Sequence, residues 1–166
     1  FVSIIFSAAF NGYTIGTAPV SGYHDGARNH DELKGLLRKS LMITGTFAVG
    51  MVAAAELFAS PLARIFVGYD QVLMELTVSG FRIFALSFFF MGYAIFGSGF
   101  FTALNDGLTS ALISFLRTLV FQMAAILILP LIWGIDGIWI SIVVAEFMAV
   151  VLTVMFLIIK QKKYHY

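Results

Sequence analysis

The fold class is decided by residues 108–132, LTSALISFLRTLVFQMAAILILPLI, and by residues 138–159, IWISIVVAEFMAVVLTVMFLII. The first stretch contains a single charged residue, Arg117, and the second contains a single one, Glu146. A helix needs about 20 mostly apolar residues to cross a hydrocarbon layer about 30 Å thick. Each stretch is longer than that, so both predict membrane-spanning α-helices.

Three more apolar stretches lie upstream, and the sequence as a whole predicts an all-α membrane protein with five transmembrane helices. The predicted helices are residues 1–21, 40–58, 76–104, 108–132 and 138–159. Composition agrees with a lipid environment, because 60% of the 166 residues are hydrophobic and 11% are charged. A membrane β-barrel would instead show short alternating segments.

Composition also excludes several classes of protein and site. The net charge of +1 argues against nucleic acid as a partner, and the absence of cysteine excludes disulfides and thiolate metal sites. His24, His30 and His165 lie outside the predicted helices, and no protease, serine hydrolase or P-loop motif is found. The sequence therefore predicts no enzyme, no metal and no organic cofactor. Because it begins Phe-Val-Ser without a signal-peptide pattern, the chain is interpreted as part of a longer protein.

Lysine and arginine are distributed unequally between the two predicted sides of the membrane. Residues 24–39 and 160–166 contain seven of them, whereas the segments predicted on the other side contain only Arg64. Basic residues concentrate in cytoplasmic segments. The sequence therefore predicts an integral protein of the plasma membrane, with a cytoplasmic linker (24–39) and a cytoplasmic C-terminal tail (160–166). Asn29 and Glu32 indicate a capped surface helix in the linker, with a solvated connector as the alternative.

Arg117 and Glu146 are the most informative charges, because a charge at the bilayer centre costs about 2.5–3.5 kcal/mol on insertion scales. Each lies nine residues from one end of its helix, counted from Leu108 and Gly137 respectively. At 1.5 Å per residue, each is about 13 Å into the membrane. The two side chains are therefore predicted to form an ion pair. A structural pair and a relay for protons or substrate are both compatible with the sequence.

Four uncharged residues complete the candidate site. Asn11 and Gln122 add hydrogen-bonding groups to the membrane interior, where they either line a pathway or bridge two helices. Gly16 and Pro19 lie near the cytoplasmic end of the first helix. Because glycine allows close packing and proline removes a backbone donor, this end is predicted to pack tightly and to bend or break. Broken helices line the cavities of many transporters, and an ordinary kink is the alternative.

Several short motifs resemble one known family in their order and spacing. Residues 15–29, IGTAPVSGYHDGARN, resemble a signature in the C-terminal lobe of the multidrug and toxic compound extrusion (MATE) transporters. The motifs that resemble the last three helices of that lobe are FFTALNDG (100–107), LRT (116–118) with Pro130, and WGIDGIW (133–139) with Ala145 and Glu146. The resemblance extends over nearly the whole chain.

The resemblance implies a twelve-helix transporter of two six-helix lobes, of which this chain supplies helices eight to twelve. It implies export of organic, often cationic, compounds by alternating access, driven by H⁺ or Na⁺, with the N-terminal lobe and membrane lipids as partners. Met91 or Gly92 stands where the sodium-linked branch has an aspartate, which argues against that Na⁺ site here.

Two alternatives to a drug transporter stay open. One is a lipid-linked oligosaccharide flippase of the same superfamily, which would expose cationic residues such as Arg82 and Arg117 to its cavity. The other is a non-transporting membrane scaffold or channel subunit.

Overall fold

The computed structural model describes residues 1–166, which are helical apart from the chain ends and short turns. It contains six α-helices, one π-helical turn and no strand. The elements are α1 Val2–Gly26, α2 His30–Val67, α3 Gln71–Ala85, α4 Ser87–Ala103, α5 Gly107–Phe115, the π-helical turn Leu116–Phe121 and α6 Gln122–Tyr164. The all-α prediction is confirmed.

Three helical stretches are long and apolar enough to cross a membrane: His30–Val67, Gln71–Ala103 and Gly107–Tyr164. The last has 58 residues, which would be about 87 Å long if straight and so far longer than a membrane is thick. It is not straight, because Gly134 adopts φ 59° and ψ −133° inside α6. Arg117, before Gly134 in the sequence, is hydrogen-bonded to Glu146, after it, so the two arms on either side of Gly134 fold back on each other as a hairpin.

Helix boundaries differ from the predicted ones where a polar or proline-containing segment continues a helix. Asn29 accepts the backbone N–H of Glu32 at 3.4 Å, so α2 begins at His30 and most of the predicted linker is helical. The same helix passes through Pro61 and ends at Val67 instead of residue 58. A proline costs a helix one hydrogen bond and does not have to end it.

The predicted helix 76–104 begins earlier and is interrupted. The side chain of Asp70 accepts two backbone N–H groups at 2.9 and 3.1 Å, so α3 already begins at Gln71. Leu86 then separates α3 from α4.

The break predicted at Gly16 and Pro19 is not observed, because α1 runs through both residues as one helix. Nor do Gly12 and Gly16 bring another helix close, since a side chain added at either would meet open space. The loss of one backbone donor at Pro19 leaves the remaining hydrogen bonds of the helix in place.

Close packing at this end of α1 is found at Gly22, where an added Cβ would lie 3.1 Å from the carbonyl oxygen of Ala103. It is more extensive on α4, which contacts α1, α2 and α6 and is the most buried helix. Gly92 lies against the ring of Phe10, and Gly97 lies against Thr153. Small residues of this kind let membrane helices approach one another. Four buried aromatic side chains of α4 fill the interior of the bundle: Phe88, Phe96, Phe100 and Phe101.

One end of the bundle collects both basic segments. The rings of His30 and His165 lie 5.0 Å apart, and Lys160 Nζ lies 3.0 Å from a carboxylate oxygen of Asp106. Residues 24–39 and 160–166 therefore lie at the same end, as the charge distribution predicted.

Substitution of Gly92 tests the close packing of α4. Gly92→Val places a branched side chain against the buried ring of Phe10, and we expect it to lower the free energy of unfolding by about 1–3 kcal/mol through overpacking. Gly50→Val is the control, because Gly50 has open space beside it. Thermal unfolding of the full-length protein in detergent measures both. Equal effects of the two variants would contradict this packing.

Candidate functional site

A buried ion pair joins the π-helical turn to the second arm of the hairpin. Arg117 Nε donates to both carboxylate oxygens of Glu146, at 3.1 and 2.9 Å, and Nη2 donates to Oε1 at 2.8 Å. The side chains of Arg117 and Glu146 are only 22% and 10% exposed. The ion pair predicted from the depths of the two residues therefore forms, with the forked geometry that makes arginine–carboxylate pairs strong.

Arg117 lies in a rare kind of helical turn. Gln122 donates its backbone N–H to the carbonyl of Arg117, five residues earlier, which defines the π-helical turn Leu116–Phe121. Single π turns inside α-helices occur frequently at functional sites. The turn contains neither glycine nor proline, so nothing in the local sequence predicts it.

Beside Arg117 lies a polar cavity of about 300 Å³ between α1, α4 and the helix that contains Arg117. We call it the Arg117 cavity. Asn11, Thr14, Ile15 and Ala18 form its α1 wall. Its remaining lining residues are Ile95, Ser98, Gly99, Thr102, Ser114 and Arg117. Asn11, Ile15, Thr102 and Ser114 are exposed, so the cavity is open to the surface of this bundle. It thus brings one charged and several uncharged polar groups together around an open space.

Hydroxyl groups of α4 and α5 form a connected network along the cavity. Ser98 Oγ lies 3.0 Å from Ser110 Oγ and 2.8 Å from Ser114 Oγ. Thr102 Oγ1 lies 2.7 Å from Ser110 Oγ. Each hydroxyl can donate one hydrogen bond and accept two. The network can therefore hold water molecules in the cavity or form hydrogen bonds with a polar ligand. The spacing of four residues between Ser98 and Thr102, and between Ser110 and Ser114, is the sequence signal that would have indicated it.

Only part of the predicted site comes together. Asn11 lines the Arg117 cavity, and its amide donates to the carbonyl of Ser7 at 2.8 Å. Gln122 is half-buried beside the π turn but does not line this cavity. Gly16 and Pro19 are exposed and also lie outside it.

Two other positions singled out in the sequence have structural partners. Arg82 Nε lies 3.6 Å from a carboxylate oxygen of Glu56, away from the Arg117 cavity. The sulfur of Met91 accepts the hydroxyl of Ser7 at 3.2 Å. Neither Met91 nor Gly92, the two positions that the resemblance aligns with the aspartate of the sodium-linked branch, carries a carboxylate.

Asp106, predicted only as a turn residue, anchors the basic end of the bundle. Its carboxylate accepts Lys160 Nζ at 3.0 Å, the hydroxyl of Tyr164 at 3.0 Å and the backbone N–H of Thr109 at 3.3 Å. Burial alone would raise the pKa of Asp106, but hydrogen bonds from Lys160, Tyr164 and Thr109 outweigh it and lower the pKa from 3.8 to about 2. The carboxylate therefore holds the end of α6 against the start of α5.

A double-variant cycle tests the Arg117–Glu146 pair. Arg117→Met or Glu146→Leu alone leaves one buried charge without its partner, which we expect to cost about 3–5 kcal/mol of unfolding free energy. The double variant removes both charges and should regain most of that loss. Unfolding of the full-length protein in mixed micelles measures the cycle. If the double variant lost as much unfolding free energy as the two single variants together, the two residues would not form a direct pair.

Asp106→Asn tests the anchor at the basic end. Because the folded-state pKa lies below 3.8, the carboxylate stabilises the fold above that pH, by about 2 kcal/mol. This stability is lost as the pH falls through about 2. Asp106→Asn should therefore lower stability at pH 7, and the difference from the unsubstituted protein should shrink in acid. Asp136→Asn is the control, because Asp136 is exposed. Equal stability of all three proteins at pH 7 would contradict the anchor.

Comparison with known proteins agrees with this geometry. The MatE family model matches residues 1–128. A solved structure described as the inward-facing conformation of a multidrug resistance MATE family transporter of the MOP superfamily has a TM-score of 0.90 and 22% identity, covering 99% of this chain and 38% of that one. The MATE multidrug transporter DinF-BH, solved in complex with a ligand, has a TM-score of 0.89 and 24% identity, covering 99% and 37% respectively.

The chain thus spans about two fifths of the length of these transporters. A comparison with curated proteins finds no match. The family model covers most of the chain, and the solved structures share its fold over almost all of it. The resemblance in the sequence motifs is therefore confirmed, and this chain belongs to the MatE family.

Proposed function

We propose that this chain forms part of a secondary active transporter that exports organic, often cationic, compounds in exchange for H⁺ or Na⁺. The observation that supports this most directly is the Arg117 cavity, a polar space beside a buried ion pair in a membrane bundle of the MatE family. Ionisable residues inside membranes are expensive and commonly mark substrate or ion pathways. The two similar structures are both described as multidrug transporters.

The proposed topology has five membrane crossings. These are α1, α2, α3 together with α4, and the two arms of the hairpin at Gly134. With 25 residues, α1 is about 38 Å long and so long enough to cross the hydrocarbon layer. In this proposal the five crossings are helices eight to twelve of a transporter with twelve helices in two lobes. The N-terminal lobe of that transporter completes the pathway. The 38% share of a similar transporter supports this arrangement.

The proposed orientation places the basic end of the bundle in the cytoplasm. Residues 24–39 and 160–166 lie together there, with seven lysine and arginine residues, and basic segments remain on the cytoplasmic side during insertion. The C-terminus is then cytoplasmic, and the plasma membrane is the proposed location.

The Arg117–Glu146 pair provides a route to antiport. With the pair formed, the charge of Arg117 is neutralised and a cation can occupy the adjacent cavity. A proton arriving at Glu146 removes the carboxylate charge and leaves the positive charge of Arg117 uncompensated, which repels a bound cation. Proton and substrate would therefore exclude each other, as antiport requires. A Na⁺ ion at Glu146 would act in the same way.

The charges around the Arg117 cavity support an oligosaccharide flippase less than they support a drug transporter. Such a function would favour several cations around the cavity, but only Arg117 lines it, and Arg82 is paired with Glu56 elsewhere. The drug-transport proposal is therefore preferred.

Dye efflux from a drug-sensitive host that expresses the full-length gene tests the proposed function. We expect efflux of an organic cation that a protonophore or the removal of Na⁺ abolishes, which also identifies the coupling ion. Ser98→Ala with Ser114→Ala should slow efflux, because it removes hydroxyls from the cavity.

The control for this experiment is Thr46→Ala, whose hydroxyl is exposed and donates only to the carbonyl of Met42 in the same helix, at 2.9 Å. It should leave efflux unchanged. If the well-expressed, unsubstituted protein showed no gradient-dependent efflux of any cation tested, the drug assignment would be wrong.

A further inference from the structure

A groove of about 600 Å³ runs between α2 and α6 at the basic end of the bundle. We call it the α2–α6 groove and define it by six lining residues: Lys34, Arg38, Met42, Val154, Ile158 and Gln161. Its volume lies within the range of about 300–1,000 Å³ that is typical of ligand pockets. None of these residues lines the Arg117 cavity, so the groove is a separate site.

The groove changes from basic to apolar along its length. On α2, Lys34 and Arg38 are one helical turn apart, and Met42 follows one turn further from the basic end. On α6, Gln161 lies nearest the C-terminus, and Ile158 precedes it by about one turn. A ligand that fills the groove must therefore combine a polar head with an apolar body.

The two cations of the groove have no acidic partner. Four other cationic side chains form the ion pairs of the structure, and neither Lys34 nor Arg38 has a carboxylate oxygen within 4.0 Å. The residues that line the groove include no aspartate or glutamate. The complementary head group is therefore an anion.

Tyr166, which also lines the groove, is held in place by two contacts. Its hydroxyl donates to the carbonyl of Leu157 at 2.9 Å, and its ring lies 5.4 Å from that of Phe100. Because these contacts hold the aromatic ring in place, little ordering is required when a ligand binds, which favours affinity.

We propose that the α2–α6 groove binds an anionic phospholipid, with the phosphate between Lys34 and Arg38 and an acyl chain along the apolar wall. Basic pockets between membrane helices bind anionic head groups, and the guanidinium fork of arginine matches phosphate. Lipid is also the amphiphile that surrounds a membrane protein at all times. The inference requires that the chain lies in a membrane and that the groove stays open in the whole protein, so it stands independently of the transport function.

Native mass spectrometry of the full-length protein tests this site. The protein is released from nanodiscs of phosphatidylcholine with a minor fraction of phosphatidylglycerol, and the retained lipids are identified. Lys34→Gln with Arg38→Gln should weaken phosphatidylglycerol binding about 30-fold, as expected for the loss of two interfacial cations. Ile158→Trp fills the apolar wall and should also reduce the retained phosphatidylglycerol, although both cations remain.

The matched control is Lys39→Gln with Lys162→Gln. It removes the same net charge from the two helices that form the groove, one cation from α2 and one from α6, but neither residue lines the groove, so binding should be unchanged. Equal weakening by both double variants would indicate general surface attraction and overturn the proposal. Equal retention of phosphatidylcholine and phosphatidylglycerol would overturn it as well. So would a dimer without bound lipid that the Ile158→Trp variant dissociates, because a second copy of the chain would then occupy the groove.

Discussion

The forked ion pair between Arg117 and Glu146 is the interaction on which the rest of this bundle depends. In a hydrocarbon layer neither charge is tolerated well alone, because no water is present to solvate it. Pairing brings the π-helical turn against the second arm of the hairpin, with three hydrogen bonds of 2.8–3.1 Å. It thereby fixes the depth at which the two arms meet and places a charged residue beside the polar cavity.

The packing around this pair has two different faces. On one, the glycines of α4 let Phe10 and Thr153 approach its backbone, and van der Waals contact holds the helices together. On the other, Ser98 and Thr102 of α4 meet the hydroxyls of α5, because hydroxyl groups in a membrane must find partners within the protein or in trapped water. One close-packed helix thus supports both the apolar interior and the wall of the candidate site.

The sequence predicted the fold class and the Arg117–Glu146 pair, because both follow from rules that act along one helix. Apolar length indicates a span, and counting residues from a helix end gives the depth of a charge. Features that depend on how two helices align were not predicted. The hydroxyl network requires the register of α4 against α5, and the role of Asp106 requires the end of α6 to return to the turn before α5.

The helix bounds that extend beyond the predicted ranges have a common physical origin. The predicted helix 40–58 lies inside the longer α2, which extends back to His30 and continues through Pro61, because one lost hydrogen bond does not outweigh the contacts of a long helix. Pro19, where a bend or a break was predicted together with Gly16, likewise lies inside the uninterrupted α1.

The central claim is that the Arg117 cavity belongs to a pathway that opens to water on alternate sides of the membrane. Thiol labelling of Ser114→Cys in a cysteine-free form of the full-length protein tests it most directly, with a membrane-impermeant reagent applied to each side in turn. We expect labelling from one side under one ion gradient and from the opposite side when the gradient is reversed. Absence of labelling from both sides under both gradients, in a protein that still folds, would contradict the account.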